Sequence, residues 1–266
     1  MRALLLINPR AGSESPTTEE LAQAARERGI DVHVLGEGDD LAELGRGADA
    51  EILAAAGGDG TVATVATMAV ERELPFVVVP FGTRNHFARD LGLDRDDPLA
   101  ALDAFSGDER RVDVGRAGER RFLNNVSLGL YADLVHRREH HRRRRQALAG
   151  LRALWLSLRR RGRVWATVDG EPVDARVLLV ASNAYELSLF SIGVRERLDE
   201  GRLYLYRARG VLPRTWEEES GEHFTLDSPT KRVQAAVDGE PVELETPLEL
   251  AVEPGALRVL LPRRQD

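Results

Sequence analysis

The chain contains no cysteine, which excludes disulfides, thiolate nucleophiles and cysteine-ligated zinc. It has no apolar run long enough to span a bilayer, for which about 20 residues are needed. The N-terminal MRALLLINPR has a short apolar run with no small-residue cleavage site behind it, so it reads as a first strand and not as a signal peptide. A cytoplasmic location is the expectation. Two nucleotide-binding signatures are also missing. There is no GxxxxGK[ST], and no GxGxxG follows the first strand. Any phosphate bound here is held by backbone, hydroxyls and metal.

What is present is a chain of 266 residues, 42% hydrophobic and 30% charged. That is enough for one large or two ordinary domains with a substantial core. Its charge is unevenly spread. Residues 137–163, RREHHRRRRQALAGLRALWLSLRRRGR, hold eleven Arg and a single acid, giving +10 and leaving −17 on the rest of a chain of net charge −7. Leu148, Leu151, Leu154, Trp155 and Leu158 follow helical spacing within it. The pattern fits a helix lying in a membrane interface with Arg on lipid phosphates. It equally fits an amphipathic helix packed on the core with solvated Arg. Nucleic acid is not expected as a partner, because no aromatic platform accompanies the Arg run. His136, His140 and His141, set among these cations, read as solvated helix residues and not as metal ligands.

Strand and helix patterns alternate at first. Residues 3–7, 31–35, 51–56 and 76–80 read as strands. Residues 17–28, 39–46, 61–72, 83–91 and 98–105 read as helices, the first capped by Thr17 or Thr18 and stopped by Gly29. This order predicts a three-layer α/β/α unit around a parallel sheet over residues 1–113. From about residue 112 strand patterns dominate, at 163–169, 176–182, 203–208, 232–238, 248–252 and 257–261. DGEP occurs at 169–172 and again at 238–241, each time as a hairpin turn. An antiparallel β domain is predicted for 114–266, with a basic helical insertion at 137–163 and a last strand that can return to the first domain.

Chemistry concentrates in the turns after the strands. AAAGGDGTVATV (54–65) and VVVPFGTRNHFARDLGL (77–93) each run from a buried strand through a glycine turn into a helix. Gly57, Gly58 and Gly60 allow close approach to bare amides at a helix N-terminus, a site that attracts phosphate. Thr61 can cap the helix or donate to a phosphate. Asp59 has two readings, a helix cap or a carboxylate that meets magnesium or the acceptor hydroxyl. Thr83 and Asn85 offer polar groups at the same sheet edge, and the Asn8-Pro9-x-x-Gly12 turn adds a third floor there.

NPRAG (8–12), GGDGTV (57–62), FGTRNHFARDLGL (81–93), FLNNVSLGLYA (122–132), LDEGRLYLY (198–206) and VDGE (237–240) together resemble, in order, the diacylglycerol kinase catalytic-domain family, which includes soluble bacterial lipid kinases and sphingosine kinases. The resemblance implies an NAD-kinase-like first domain, a β-sandwich second domain with the active site in the cleft between them, and ATP- and magnesium-dependent phosphorylation of a lipid hydroxyl. By position, Gly57, Gly58, Asp59, Gly60, Thr61, Val62, Ala63 and Thr83 would contact ATP. Glu240 would accept the proton, with Asp59 as the rival base. Glu200 and the carbonyls of Arg197 and Arg202 would hold magnesium. The resemblance further implies a lipid substrate, a peripheral position on an anionic membrane through 137–163, and a homodimer as the candidate assembly.

The sequence departs from the family pattern at several points. Ala63 stands where Asn is usual, His86 where an acid is, and Glu200 where Asp is. VLGEG lacks a Thr after the second strand, and Asn183-Ala184 replaces a glycine-rich run. Two other readings stay open, an NAD kinase and a catalytically silent nucleotide- or lipid-binding regulator of the same fold.

Overall fold

The structure is a computed structural model and describes residues 2–12, 15–129, 164–188, 191–209 and 215–263. The basic segment 137–163, and with it the expected interfacial helix, lies outside these residues. The chain divides into two compact units, Met1–Asp113 with Gly255–Asp266, and Val114–Pro254.

The first unit runs β1 (Ala3–Ile7), α1 (Thr18–Glu27), β2 (Asp31–Val34), α2 (Leu41–Gly47), β3 (Ile52–Gly57), α3 (Asp59–Glu71), β4 (Phe76–Pro80), α4 (His86–Asp90) and a 3-10 helix (Ala100–Ser106). The strand order is β2-β1-β3-β4, all parallel. β3 and β4 are buried along their whole length, which is why ILAAA and FVVVP show no polar alternation. One face of the sheet, through Leu5, Ile7, Ala54, Ala56, Val77 and Val79, packs on Leu21, Ala22 and Ala25 of α1 and on Leu102 and Phe105 of the 3-10 helix. Residues of the opposite parity, such as Leu53 and Ala55, face the other way, and α3 lies along β3 with α2 against it. Gly45 of α2 permits that approach, since a Cβ there would lie 2.9 Å from Met68 Cγ.

Local sequence explains the helix ends. Thr17 and Glu20 form a capping box at α1: Glu20 N donates to Thr17 Oγ1 at 3.2 Å and Thr17 N to Glu20 Oε2 at 2.8 Å. Asp40 caps α2 by accepting from Ala42 N and Glu43 N. Two expectations change. The helix predicted from residue 61 begins at Asp59, because Gly58 takes the N-cap and Thr61 is carried inside the first turn. The helix predicted over 83–91 is reduced to His86–Asp90, because Asn85 occupies the left-handed region (φ 48°) and cannot be helical.

β5 (Asp108–Ala117) leads into the second unit. There follow β6 (Arg120–Phe122), β7 (Asn125–Gly129), β8 (Thr167–Val168), β9 (Glu171–Pro172), β10 (Val177–Ser182), β11 (Leu187–Ser188), β12 (Ser191–Ile192), β13 (Leu203–Ala208), β14 (Trp216–Gly221), β15 (His223–Asp227), β16 (Arg232–Val237), β17 (Glu240–Glu245) and β18 (Leu248–Leu261). One antiparallel sheet has the order β14-β13-β10-β7-β16-β17. The first half of β18 pairs β15, followed by β8 and β9. Val126, Leu128, Leu178, Val180, Leu203, Leu205 and Val237 of the first sheet share one core with Phe122, Phe224, Leu226, Leu248 and Leu250 of the second. This is a β-sandwich.

The segments 248–252 and 257–261, expected as two strands, are one strand of fourteen residues. Its last part belongs to the first unit, where Val259 pairs Phe76 in parallel. β14 and β15 were not anticipated; WEEESG exposes its three glutamates at a sheet edge and so carries no apolar alternation. No helix among the described residues is long and apolar enough to cross a membrane.

Gly107 meets the end of β18 so closely that a Cβ would lie 1.9 Å from the Leu261 carbonyl oxygen. Gly107→Ala is therefore expected to cost about 3 kcal/mol by forcing backbone apart, read as a lower urea midpoint at unchanged slope.

Candidate active site

The register of the parallel sheet ends three strands together. Ile7 lies opposite Ala56, and Gly57 opposite Pro80. The turns that follow are tied to one another directly. Asn8 donates from Nδ2 to Thr61 Oγ1 at 2.9 Å, while its Oδ1 accepts from Arg10 N at 3.0 Å. Gly12 passes over the buried Phe81 ring, where a Cβ would be 2.6 Å from Cε1. Gly82 rests on Gly58, and a Cβ on Gly82 would lie 2.6 Å from Gly58 Cα and 2.9 Å from Gly58 N. Asp59 crosses from the second turn to the third, its Oδ1 accepting from His86 N at 2.8 Å and Phe87 N at 3.4 Å.

These bonds assign roles that the sequence left open. Asp59 is a helix cap, but of α4 and not of its own helix. α3 starts at Gly58 with no side-chain cap, so the positive end of its dipole and its first amides are not used by a side chain. Thr61 is buried and accepts from Asn8; its hydroxyl proton remains to donate. Val62 does not face a ligand, since its side chain is buried and its amide closes the first helical turn onto Gly58 O at 3.1 Å. Ala63 lies one residue further inside α3, its carbonyl accepting from Thr67 Oγ1. Gly57 is required by Thr61, whose Cβ would stand 2.7 Å from a Cβ at 57. Gly60 opens α3 within the same turn. Thr83 is exposed in the third turn.

Asn85 carries the sharpest local signal. It is 3% exposed, and its Nδ2 donates to Gly82 O at 2.7 Å. Its Oδ1 is buried with no hydrogen-bond partner. A buried orphan acceptor costs about 1–3 kcal/mol, and here it sits beside the glycine contact at the strand ends. A nucleotide offers donors and phosphates to such a floor, so the residues present fit one. His86, in place of an acid, has its imidazole pKa lowered by desolvation of the ring, with Arg89 and Arg84 acting in the same direction and Asp59 opposing. It is neutral near pH 7 and adds no positive charge against a cation held there.

The second unit holds the other expected residues. The two DGEP turns are both two-residue hairpins with positive φ at Asp169 and Gly170 and at Asp238 and Gly239. Glu240 follows the second turn as the first, exposed residue of β17. Glu200 accepts from Ala184 N at 3.1 Å through Oε2 and also takes the Tyr204 hydroxyl. Its own amide donates to Asn183 Oδ1 at 2.8 Å, and the Arg202 carbonyl accepts from Asn183 N at 3.0 Å. Arg197 pairs with Asp199. Two of the three oxygens expected to hold magnesium are thus already hydrogen-bonded within the protein. Among the described residues no group of three or more His or acidic side chains is gathered for a metal. A carbonyl oxygen that accepts one hydrogen bond keeps a second lone pair, and the Glu200 carboxylate keeps further acceptor capacity, so this turn retains oxygens that a cation could use.

Residues that the sequence did not single out organise this region. Asp238 turns its carboxylate inward onto the amides of Leu123, Asn124 and Asn125. Burial pushes its pKa up to about 6, against those three donors and the charge of Arg195. Arg195 is 1% exposed and binds Leu123 O, Ser182 O and Asn124 Oδ1. Arg195 is the one buried Arg among the described residues, and its surroundings in the sequence leave no pattern to find. The DGE turn did offer a signal, because an Asp at positive φ can turn its carboxylate onto neighbouring amides.

A three-layer α/β unit with glycine turns stacked at its strand ends, joined to a β-sandwich, defines a nucleotide-fold protein without a Walker loop. The diacylglycerol kinase catalytic domain matches residues 2–117. A probable lipid kinase YegS-like of Klebsiella pneumoniae (strain 342) is 31% identical over 134 residues, 48% of this chain and 45% of that protein. A probable lipid kinase YegS-like of Pseudomonas aeruginosa (PAO1) is 28% identical over 97% of this chain and 93% of its own length. The relatives at 29% identity or better match over about half their own length. The crystal structure of a putative diacylglycerol kinase from Bacillus anthracis str. Sterne has a TM-score of 0.75 at 18% identity, covering 98% of this chain and 97% of that one; it shares the fold.

Two outcomes are expected. Gly82→Ala pushes the third turn off Gly58 and should lose nucleotide binding by at least tenfold in titration calorimetry while the far-ultraviolet spectrum stays native. For Asp238, a folded pKa near 6 lies above the unfolded value of about 3.9. The folded state therefore binds the extra proton, and this group's contribution to stability rises as pH falls from about 7 to 5, by about 1 kcal/mol. The urea-stability gap between wild type and Asp238→Asn should widen by that amount at the lower pH.

Proposed function

We propose that the chain is a lipid kinase that uses MgATP as phosphoryl donor and a lipid hydroxyl as acceptor. The observation that carries the reading is the converged floor: three turns at adjacent parallel strand ends, an uncapped α3 N-terminus, and the orphan Oδ1 of Asn85 beside them. The names of the relatives, lipid kinases and diacylglycerol kinases, support the same class.

The bound nucleotide supplies the γ-phosphoryl group. The α3 amides and the Thr61 hydroxyl receive phosphate oxygens, and Asn85 Oδ1 accepts a hydrogen bond from the nucleotide. Asp59 holds α4 in place and thereby fixes Asn85. Glu240 takes the proton of the attacking hydroxyl. Glu200 with the carbonyls of Arg197 and Arg202 would hold magnesium, which would supply positive charge against the phosphates. The segment 137–163 holds the protein on anionic lipid.

The test is turnover of ATP with a panel of diacylglycerols and sphingoid bases in anionic mixed micelles, with NAD as a separate acceptor. Glu240→Gln should lower kcat by at least 100-fold with ATP binding unchanged. Saturable ATP binding with no phosphorylated lipid would favour the regulator, and phosphorylated NAD would overturn the lipid assignment.

A further inference from the structure

The two DGEP turns share sequence and turn geometry but not anchorage. At the first, Asp169 exchanges two bonds with Thr225: its amide donates to Thr225 O at 2.9 Å, and Thr225 N donates to Asp169 Oδ1 at 2.8 Å. At the second, the Asp238 amide donates to Asn125 O at 2.9 Å. Its carboxylate accepts from Leu123 N at 2.8 Å, Asn124 N at 2.7 Å and Asn125 N at 3.1 Å. Four bonds fasten this turn to the bend between β6 and β7.

The same bend is held from its other side. Arg195 Nη1 donates to Leu123 O at 2.6 Å and Ser182 O at 2.9 Å, and Nη2 to Asn124 Oδ1 at 2.8 Å. Its guanidinium carbon lies 5.4 Å from the Tyr185 ring centroid, and the Tyr185 hydroxyl accepts from Asn125 Nδ2 at 3.1 Å. The Leu123–Asn124 peptide group thus runs from a carboxylate on its N–H side to a cation on its C=O side. A buried charge pair of this kind adds little net stability, because desolvation offsets its attraction. It does set geometry, since the Leu123–Asn124 peptide dipole is pinned at both ends. A hairpin does not need such a device, as the Asp169 turn shows.

We propose that Asp238 and Arg195 are positioning residues: they clamp the Leu123–Asn125 bend between opposite charges and so fix the backbone from which Glu240 projects. The proposal rests on Glu240 being the proton acceptor. Asp238→Asn sets an NH2 group against the amides it should accept from. Arg195→Lys keeps the charge but loses the two-pronged grip on Leu123 O and Asn124 Oδ1.

The experiment uses the full chain as wild type, Asp238→Asn, Arg195→Lys, Glu240→Gln and the Asp238→Asn/Glu240→Gln double variant. Kinetics are read with the lipid that wild type phosphorylates best, and amide exchange is followed at residues 123–125 and 239–241. The expected result is faster exchange at both stretches in the two clamp variants, KM for ATP within about twofold, and kcat lowered by ~10–100-fold. In the Glu240→Gln background the Asp238 substitution should lower kcat no further, because both act on one step. Additive losses would overturn the positioning role in favour of general destabilisation, and unchanged exchange would overturn the clamp itself. Should Asp238→Asn fail to fold, Arg195→Lys with its own Glu240→Gln double decides by the same criteria. A wild type that phosphorylates no lipid defeats the kinase reading and the positioning role with it, while the exchange measurements still decide the clamp.

Discussion

Two glycines in van der Waals contact, Gly58 and Gly82, bring neighbouring turns together with no side chain between them. Everything proposed for the first unit depends on this main-chain approach. It lets Asp59 reach the amides of α4, and that cap secures the turn in which Asn85 adopts its left-handed conformation. With Asp59 used on α4, α3 keeps an uncapped N-terminus. The Asp59 carboxylate is thus held through Oδ1 by two peptide N–H groups of α4.

The second unit is built on the opposite plan. Its sandwich core is apolar and orthodox, but the ends of β7, β10 and β16 meet in a polar network. Asp238, Arg195, Asn124, Asn183, Glu200 and Tyr204 are connected through bends and not through side-chain pairs alone. Such networks are costly when one member is missing and rigid when complete. The replacement of Asp by Glu at position 200 belongs to this economy. The Glu200 carboxylate accepts from Ala184 N and so ties this turn to the bend after β10.

The strand and helix alternation of the first unit was legible because β3 and β4 are continuous apolar runs and α1 carries both a capping box and a glycine stop. The α/β and antiparallel β classes followed from that texture, and the sandwich arrangement from the family resemblance. Legibility failed where the pattern depends on neighbours. WEEESG at the sheet edge carries no alternation, and residues 248–261 look broken by Glu253-Pro254-Gly255 yet form one strand, because two different partners hold its two ends. The basic segment 137–163 could be read only as composition.

Sequence by itself determined the turn chemistry: which positions must be glycine, which strands are buried on both faces, and which motifs follow one another. Tertiary structure alone decided what each polar atom binds. Asp59 and Asp238 sit in near-identical Asp-Gly contexts, yet one caps a distant helix and the other grips a distant bend. The reason is physical: a carboxylate takes whichever amides the fold brings within about 3 Å, and those amides lie 27 and more than 110 residues away in the chain.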